Sequence, residues 1–379
     1  MLLGWGVEII PLDPSRVRQK YRRILDVVLQ WIHSVHGDTA DARFRGLTAL
    51  GEWVDISCRA VRHGSTLMPF NYAEFSAEFP WFFPITAGVF GALIGSFLNV
   101  CIYRIPACKS IVRPGSHCAC GQPIAWYDNI PVLCWFILRG RARCCGRPYS
   151  FRYPCVELLT AALFLWCWLR FAPDSPGKAM IGMLFIAVLI CATFIDLDHM
   201  IIPDVFTIWA GVGGVILSFA VPMLHGRSHE FAVIASFHSG LDALLGLLIG
   251  SGLVLWIALL AEEILKKEAM GFGDVKFVGM IGAFCGWQGA VCSIFGGALV
   301  GTMWFVCALV WQKIFPPKKK EKEAENENEG KVDESQESAP LGFGVQVPFG
   351  PMLAIGALLY FLVADRWIAA YFAELNSLL

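Results

Sequence analysis

The feature that most constrains this chain is a series of apolar windows, each about 20 residues long and almost free of charge. A helix of that length crosses the hydrocarbon part of a bilayer, where every backbone polar group needs a partner within the protein. The chain is 56% hydrophobic and only 16% charged, whereas soluble domains carry about a quarter charged residues. The sequence therefore predicts an all-α polytopic membrane protein.

The apolar windows predict about eight transmembrane helices. The candidate spans are 82–103, 156–171, 177–195, 202–224, 238–265, 276–286, 289–314 and 349–374. A small cysteine-containing domain, 104–155, is predicted between the first two spans, and a transmembrane core follows at 156–315.

Two further segments differ in composition from the spans. Residues 316–342 are rich in Lys, Glu, Asn and Ser, so they cannot bury enough apolar surface to fold and are predicted to form a disordered loop. Residues 1–80 carry mixed charges and form an N-terminal extension of unknown role. The last transmembrane helix is predicted within 343–379.

The distribution of basic residues predicts the orientation in the membrane. Between positions 104 and 155 there are eight Arg or Lys residues and one acid, Asp128. Loops with such an excess of positive charge stay in the cytoplasm. A second basic cluster, PPKKKEK at 316–322, follows an even number of predicted spans and falls on the same side. Both termini are then predicted to face outward.

Two acidic residues stand at the ends of predicted spans. Asp196 follows a long apolar run in CATFIDLDHMIIPD, and Asp274 opens a short apolar segment in GFGDVK. An acid within a membrane helix is costly, so it is a candidate functional residue by default. Two carboxylates that meet share a proton, and one then acts as general base on water while the other protonates the substrate. That chemistry is peptide hydrolysis of the aspartic type.

Other residues near these acids have simpler interpretations. Gly271 and Gly273 allow the backbone to approach a substrate or to break the helix. Asp198 is favoured as part of a solvated face, and Asp204 as a helix N-cap after proline. His199 is typical of an interfacial residue.

Six motifs carry a resemblance that extends over 82–315 and 343–374. They are GALIGSFLNVCIYRIP at 91–106, DNIPVLCWFILRGR at 128–141, SFRYPCVELLT at 150–160, FIDLDHMIIPD at 194–204, GFGDVK at 271–276 and VPFGPMLAIGA at 347–357. In this order they resemble the type IV prepilin peptidases, polytopic aspartic proteases of the Gly-x-Gly-Asp class.

The resemblance implies an enzyme of the bacterial inner membrane with its active site at the cytoplasmic face. Its catalytic aspartates fall on Asp196 and Asp274. The implied substrates are precursors of type IV pilins and of type II secretion pseudopilins, whose leader is removed after a glycine. Many members then methylate the new N-terminus with S-adenosylmethionine. The sequence has no glycine-rich strand-to-helix motif for this cofactor, so the second activity rests on the resemblance.

The loop after the first span contains a group of cysteines that differs from the family pattern. Many members carry two Cys-x-x-Cys pairs, whereas this chain has HCACG at 117–121 and RARCCGRP at 141–148. Cys118, Cys120, Cys144 and Cys145 are candidate ligands of a structural zinc ion because four thiolates suit that metal. Cys108 and Cys134 are weaker candidates. The alternative is a reduced loop with unused thiols.

Two other functions compete with proteolysis at the sequence level. In a transporter the acids would act as a proton or cation relay, although the two halves show no repeat of hydropathy and both acids lie near one face. The second competing function is a scaffold for secretion machinery with an inactive site. The net charge of −1 gives no indication of nucleic acid binding, so the expected partners are prepilin precursors and membrane lipid.

Overall fold

The computed structural model describes residues 72–118, 120–228, 231–266, 270–314 and 348–378. The chain divides into two compact units, residues 1–83 and 84–379. Most of the predicted extension at 1–80, and the whole of the predicted disordered loop at 316–342, lie outside the described residues.

The described residues form helices joined by turns. The helices are α1 (Tyr72–Glu78), α2 (Phe82–Arg104), α3 (Leu133–Ile137), α4 (Arg152–Phe171), α5 (Pro176–His199), α6 (Ala210–Ala220), α7 (Ala232–Leu265), α8 (Phe272–Ile314), α9 (Gly350–Leu359) and α10 (Asp365–Leu378). Two π-helical turns, Val205–Trp209 and Tyr360–Ala364, lead into α6 and α10. The part of the chain that the structure describes has two isolated β-bridges and no strand, which confirms the predicted all-α class.

Six helical segments are long and apolar enough to cross a membrane. They are Phe82–Arg104, Arg152–Phe171, Pro176–His199, Ala232–Leu265, Phe272–Trp311 and Gly350–Phe372. A seventh apolar segment, Val205–Ala220, is shorter. These seven segments follow the order of the eight predicted spans. The counts differ by one because two predicted spans, 276–286 and 289–314, both lie in α8.

The long helix α8 reverses direction at Gly286. The backbone there has φ 70° and ψ −179°, a conformation that glycine adopts without strain. A Cβ atom at Gly250 of α7 would lie 2.9 Å from the Cβ of Ala290 and 2.9 Å from the carbonyl oxygen of Val278. In a straight helix those two positions would be about 18 Å apart. The two arms of α8 are therefore separate segments, as the predicted spans 276–286 and 289–314 require.

The first arm of α8 packs against α5, α6 and α7. Phe284 stacks on Phe185 of α5 with ring centroids 4.9 Å apart, and it covers Gly214 of α6. Gly246 of α7 meets Gly282 so closely that a Cβ on either glycine would overlap the carbonyl oxygen of the other. Small residues bring the backbones together here because packing, rather than exclusion of water, holds helices in a membrane.

Candidate active site and metal centre

Asp196 lies in the last turn of α5, with 5% of its surface exposed. The helix ends at His199, and the next residue, Met200, has a left-handed backbone (φ 54°) that stops the helix. The N–H of Met200 donates to the carbonyl oxygen of Asp196 over 2.8 Å. The carboxylate itself accepts a hydrogen bond at Oδ2 from the backbone N–H of Gly350, over 3.1 Å. Asp196 is therefore a buried acid held by a donor from another helix.

Gly350 is a site residue that the sequence analysis did not single out. It begins α9, and a Cβ at this position would lie 2.5 Å from Oδ2 of Asp196. Only glycine allows this contact, and the start of a helix favours a nearby negative charge. The signal in the sequence was the Pro-Phe-Gly that precedes the last span, which the resemblance included without assigning a role to its glycine.

Asp274 lies in the first turn of α8 and is half-buried. Its N–H donates to the carbonyl oxygen of Gly271 over 3.0 Å, which closes the turn around Phe272 and Gly273. The structure places the two predicted acids near each other, because Ile202 contacts both Gly273, which precedes Asp274, and Gly350, which donates to Asp196.

Ile202 lies between the turn that carries Asp274 and the start of α9, whose first residue donates to Asp196. A Cβ at Gly273 would be 3.7 Å from the Cβ of Ile202, and one at Gly350 would be 3.1 Å from its Cδ1. The loop after α5 thus contacts both the Gly-Phe-Gly-Asp turn and the start of α9. Three elements distant in sequence meet at one end of the bundle, with both carboxylates among them.

The remaining acids of the two motifs form ion pairs. Asp198 accepts two hydrogen bonds of 2.7 Å from the guanidinium of Arg152, the first residue of α4. Asp204 stands at the N-cap position but makes no capping hydrogen bond, so that part of the prediction is wrong. Its carboxylate lies 2.7 Å from Nζ of Lys276 instead. His199 is exposed, as predicted for an interfacial residue.

The four predicted metal ligands also come together. The sulfur atoms of Cys118, Cys120, Cys144 and Cys145 all lie within 4.8 Å of one another. Cys118 and Cys145 are 3.5 Å apart at sulfur, and Cys120 and Cys144 are 3.4 Å apart. In a tetrahedral zinc site with Zn–S bonds near 2.3 Å, the sulfur atoms are separated by about 3.8 Å. The donor set and its spacing therefore fit zinc.

Two tight turns present these thiols. One is closed by the β-bridge His117–Pro123 and the other by Arg141–Pro148. Each turn ends in a glycine with positive φ, 86° at Gly121 and 68° at Gly146. Cys144 and Cys145 each contact a different thiol of the first turn. The two adjacent cysteines therefore both face the cluster.

The electrostatics of the cluster suit a metal ligand. Hydrogen bonds from the backbone at Cys120 and from the thiols of Cys144 and Cys145 lower the pKa of Cys118 to about 7, whereas the hydrogen bonds with Cys118 and Cys120 raise the pKa of Cys144 to about 12. A thiolate is then available near neutral pH, and the thiolate is the form that binds metals. The weaker candidates lie elsewhere: Cys108 is exposed, and Cys134 is buried with its thiol donating to the carbonyl oxygen of Tyr127 over 2.9 Å.

Glu157 of α4 attaches this cysteine-containing domain to the helices. Its buried carboxylate accepts a hydrogen bond of 2.7 Å from the backbone N–H of Val132. Val132 has φ 63°, which is strained for a branched residue and persists only where its surroundings hold it. The domain therefore has a defined position against α4.

Spanning helices with two carboxylates meeting at their ends define a polytopic membrane protein whose candidate site is a pair of acids. Two family models match, the Bacterial Peptidase A24 N-terminal domain over residues 89–171 and the Type IV leader peptidase family over residues 183–306. Together they cover more than half of the chain. The chain belongs to the type IV leader peptidase family.

Several relatives are named prepilin leader peptidase/N-methyltransferase. The Aeromonas hydrophila protein is 31% identical over 328 residues, which cover 79% of this chain and 98% of that protein. The Klebsiella pneumoniae protein is 35% identical over 226 residues, 57% of this chain and 90% of that protein. The Myxococcus xanthus protein is 39% identical over 207 residues, 54% of this chain, and the match spans only 57% of its length. No solved structure matches this chain.

Proposed function

We propose that this protein is a membrane aspartic endopeptidase that removes the leader peptide of type IV prepilins and type II secretion pseudopilins after a glycine. Asp196 and Asp274 are its catalytic residues. The observation that carries this proposal is that Ile202 contacts both the turn that carries Asp274 and the glycine that donates to Asp196, so that acids far apart in sequence lie near each other. Membership of the leader peptidase family supports the substrate class.

The two carboxylates divide the work of peptide hydrolysis. One accepts a proton from water, whose oxygen then attacks the carbonyl carbon of the scissile bond. The other donates a proton to the carbonyl oxygen, and the tetrahedral intermediate collapses as the leaving amine takes a proton. Gly350 holds one oxygen of Asp196, which leaves the other free for water. The excess of basic residues at 104–155 supports a location of this end of the bundle at the cytoplasmic face of the bacterial inner membrane.

A second activity, N-methylation of the new terminus, accords with the names of the relatives. S-adenosylmethionine supplies the methyl group in that reaction. The cysteine-containing domain has a pocket of about 320 Å³ lined by Pro114, Gly115, Ser116, His117, Gly121 and Pro123. This lining has no carboxylate for the ribose hydroxyls of such a cofactor. The pocket does not fit the cofactor, so we assign no residue of this chain to it.

A structural zinc ion completes the proposal. Cys118, Cys120, Cys144 and Cys145 would hold it and so join the two turns of the cysteine-containing domain. The ion would supply a cross-link between these two turns.

The decisive experiment is cleavage of a prepilin by the purified full chain in liposomes, with the product identified by N-terminal sequencing. Asp196→Asn and Asp274→Asn are expected to abolish cleavage while the protein still inserts and melts like wild type. Asp198→Asn, which changes an exposed acid of the same motif, is the matched control and is expected to keep most of the activity. Cleavage by either of the first two variants would contradict the dyad.

The transporter alternative makes the opposite prediction. A relay through the acids would give proton or cation flux across the liposome membrane and no peptide product. The family match gives that alternative no support.

A further inference from the structure

Lys276 contacts two elements beside the candidate active site. It follows Asp274 by two positions in the first arm of α8. Its Nζ atom lies 2.7 Å from Oδ1 of Asp204, and it also lies 5.3 Å from the ring centroid of Phe272. One ammonium group therefore joins the connection after α5 to the aromatic residue of the Gly-Phe-Gly-Asp turn.

The position of Lys276 separates it from the acids themselves. Residues two apart on a helix point to nearly opposite sides, so Lys276 and Asp274 occupy different faces of α8. The residue that shares the face of Lys276 is Phe272, four positions earlier. Asp204 lies directly before the π-helical turn Val205–Trp209, and irregular turns of this kind are frequent at functional sites.

Stability does not account for these contacts. The side chain of Asp204 is 58% exposed and that of Lys276 is 28% exposed, and ion pairs in such surroundings add little to folding. Phe272 is 63% exposed, so its ring is held by the ammonium rather than by a core. The contacts instead connect the turn that carries Asp274 with the loop that carries Ile202.

We propose that Lys276 is a positioning residue that holds the Gly-Phe-Gly-Asp turn against the loop after α5, through Asp204 on one side and Phe272 on the other. Asp274 then faces Asp196 in one fixed arrangement. The proposal rests on the proposed peptidase function for its kinetic consequence, and on the contacts alone for its structural one.

The kinetic test compares five variants of the full chain in liposomes, with a prepilin as substrate. Lys276→Met and Asp204→Asn each break the ion pair. The double variant removes both partners of that same pair. Lys276→Arg keeps both the charge and the contact with the ring. Glu263→Gln is the matched control because it breaks another lysine pair, Lys266 with Glu263, at the end of α7.

A loosened catalytic group lowers the rate of the chemical step more than substrate binding. We expect Lys276→Met and Asp204→Asn to lower kcat about two- to fivefold, the most that so exposed a pair can supply, with KM unchanged. The double variant falls no further than either single one, because both remove the same contact. Lys276→Arg and Glu263→Gln are both expected to cleave at the wild-type rate. Additive losses, or a loss for Lys276→Met alone, would overturn the proposal.

Hydrogen exchange gives a second readout that needs no activity. The N–H of Asp274 is bonded within the turn, so its exchange reports how firmly the turn is held. Exchange over residues 271–274 is expected to rise in Lys276→Met and Asp204→Asn but not in Glu263→Gln. Unchanged exchange overturns the positioning role. A wild type that cleaves no prepilin, with exchange that still rises in these variants, refutes the proposed function and leaves the positioning role supported.

Discussion

The helical core and the cysteine-containing domain are held together by different means. In the core, side chains such as Phe185, Leu189 and Phe277 are fully buried, and the backbones of α7 and α8 touch at Gly246 and Gly282. In the domain, exposed side chains predominate, and four thiols lie at the centre of two turns. Close packing therefore maintains the core, whereas the proposed metal ion would cross-link a domain that has little surface to bury.

The largest effect is expected where the helices of the core approach most closely. A methyl group at Gly246 would overlap the carbonyl oxygen of Gly282, which belongs to backbone and cannot move aside. We expect Gly246→Ala to lower the free energy of unfolding by about 3 kcal/mol or more. Gly252→Ala, on the same helix with open space around it, is the control and is expected to be neutral or slightly stabilising. Equal thermal stability of the two variants in detergent would contradict the claim that close packing maintains the core.

The close packing extends to the candidate active site, where it is expected to affect activity. A Cβ at Gly350 would lie 2.5 Å from Oδ2 of Asp196. Gly350→Ala should displace the carboxylate and lower kcat for prepilin cleavage about a hundredfold. The control Gly213→Ala has no neighbour within 4 Å and should cleave like wild type. Full activity of Gly350→Ala would show that the contact with α9 has no part in the site.

Removal of a cysteine from the cluster should affect the cysteine-containing domain and leave the helical core unchanged. Cys144→Ser is expected to release the metal and to speed chymotrypsin cleavage within the cysteine-containing domain about tenfold, while the melting temperature of the helices stays unchanged. A chelator should act in the same way. Cys155→Ser, an exposed cysteine outside the cluster, is the control. Metal content is measured by mass spectrometry, and a protein that never contains metal would refute the zinc site.

The smallest effect concerns the charge pair beside the cluster. Arg143 donates two hydrogen bonds to Asp128, over 2.9 and 2.8 Å, and these raise the pKa of its guanidinium. The arginine side chain is 56% exposed, so water competes for the pair. Arg143→Met should change the chymotrypsin cleavage rate by less than about twofold. A change as large as that of Cys144→Ser would mean that charge, and not the thiols, holds the domain.

Much of the core could be predicted from the sequence because one physical signal dominates it. The length of the apolar windows gave the spans, including the two arms of α8 on either side of Gly286. The acids were conspicuous because charge is rare in such windows. Asp196 and Asp274 could therefore be paired as a prediction before any geometry was known.

The contacts between distant segments could not be predicted in this way. Gly350 donates to Asp196 across 154 positions of sequence, and no local pattern encodes that hydrogen bond. Asp204 had the residue type and position of an N-cap, yet its carboxylate pairs with Lys276 because a tertiary partner was available. In the cysteine-containing domain, spacing alone left the direction of neighbouring thiols undetermined, since the turns at Gly121 and Gly146 set it.

The turn at Gly286 also has a consequence for the thickness of the membrane. The first arm of α8, 272–285, is about 21 Å long, and the segment Val205–Ala220 is about 24 Å, against about 30 Å of hydrocarbon. The two run side by side from the end that carries the acids, with Gly211 facing Met280 and Gly214 facing Phe284. Where two short elements adjoin, the bilayer is expected to thin around them. The end of the bundle that carries Asp196 and Asp274 is then expected to lie nearer to the water layer than spans of full length would allow.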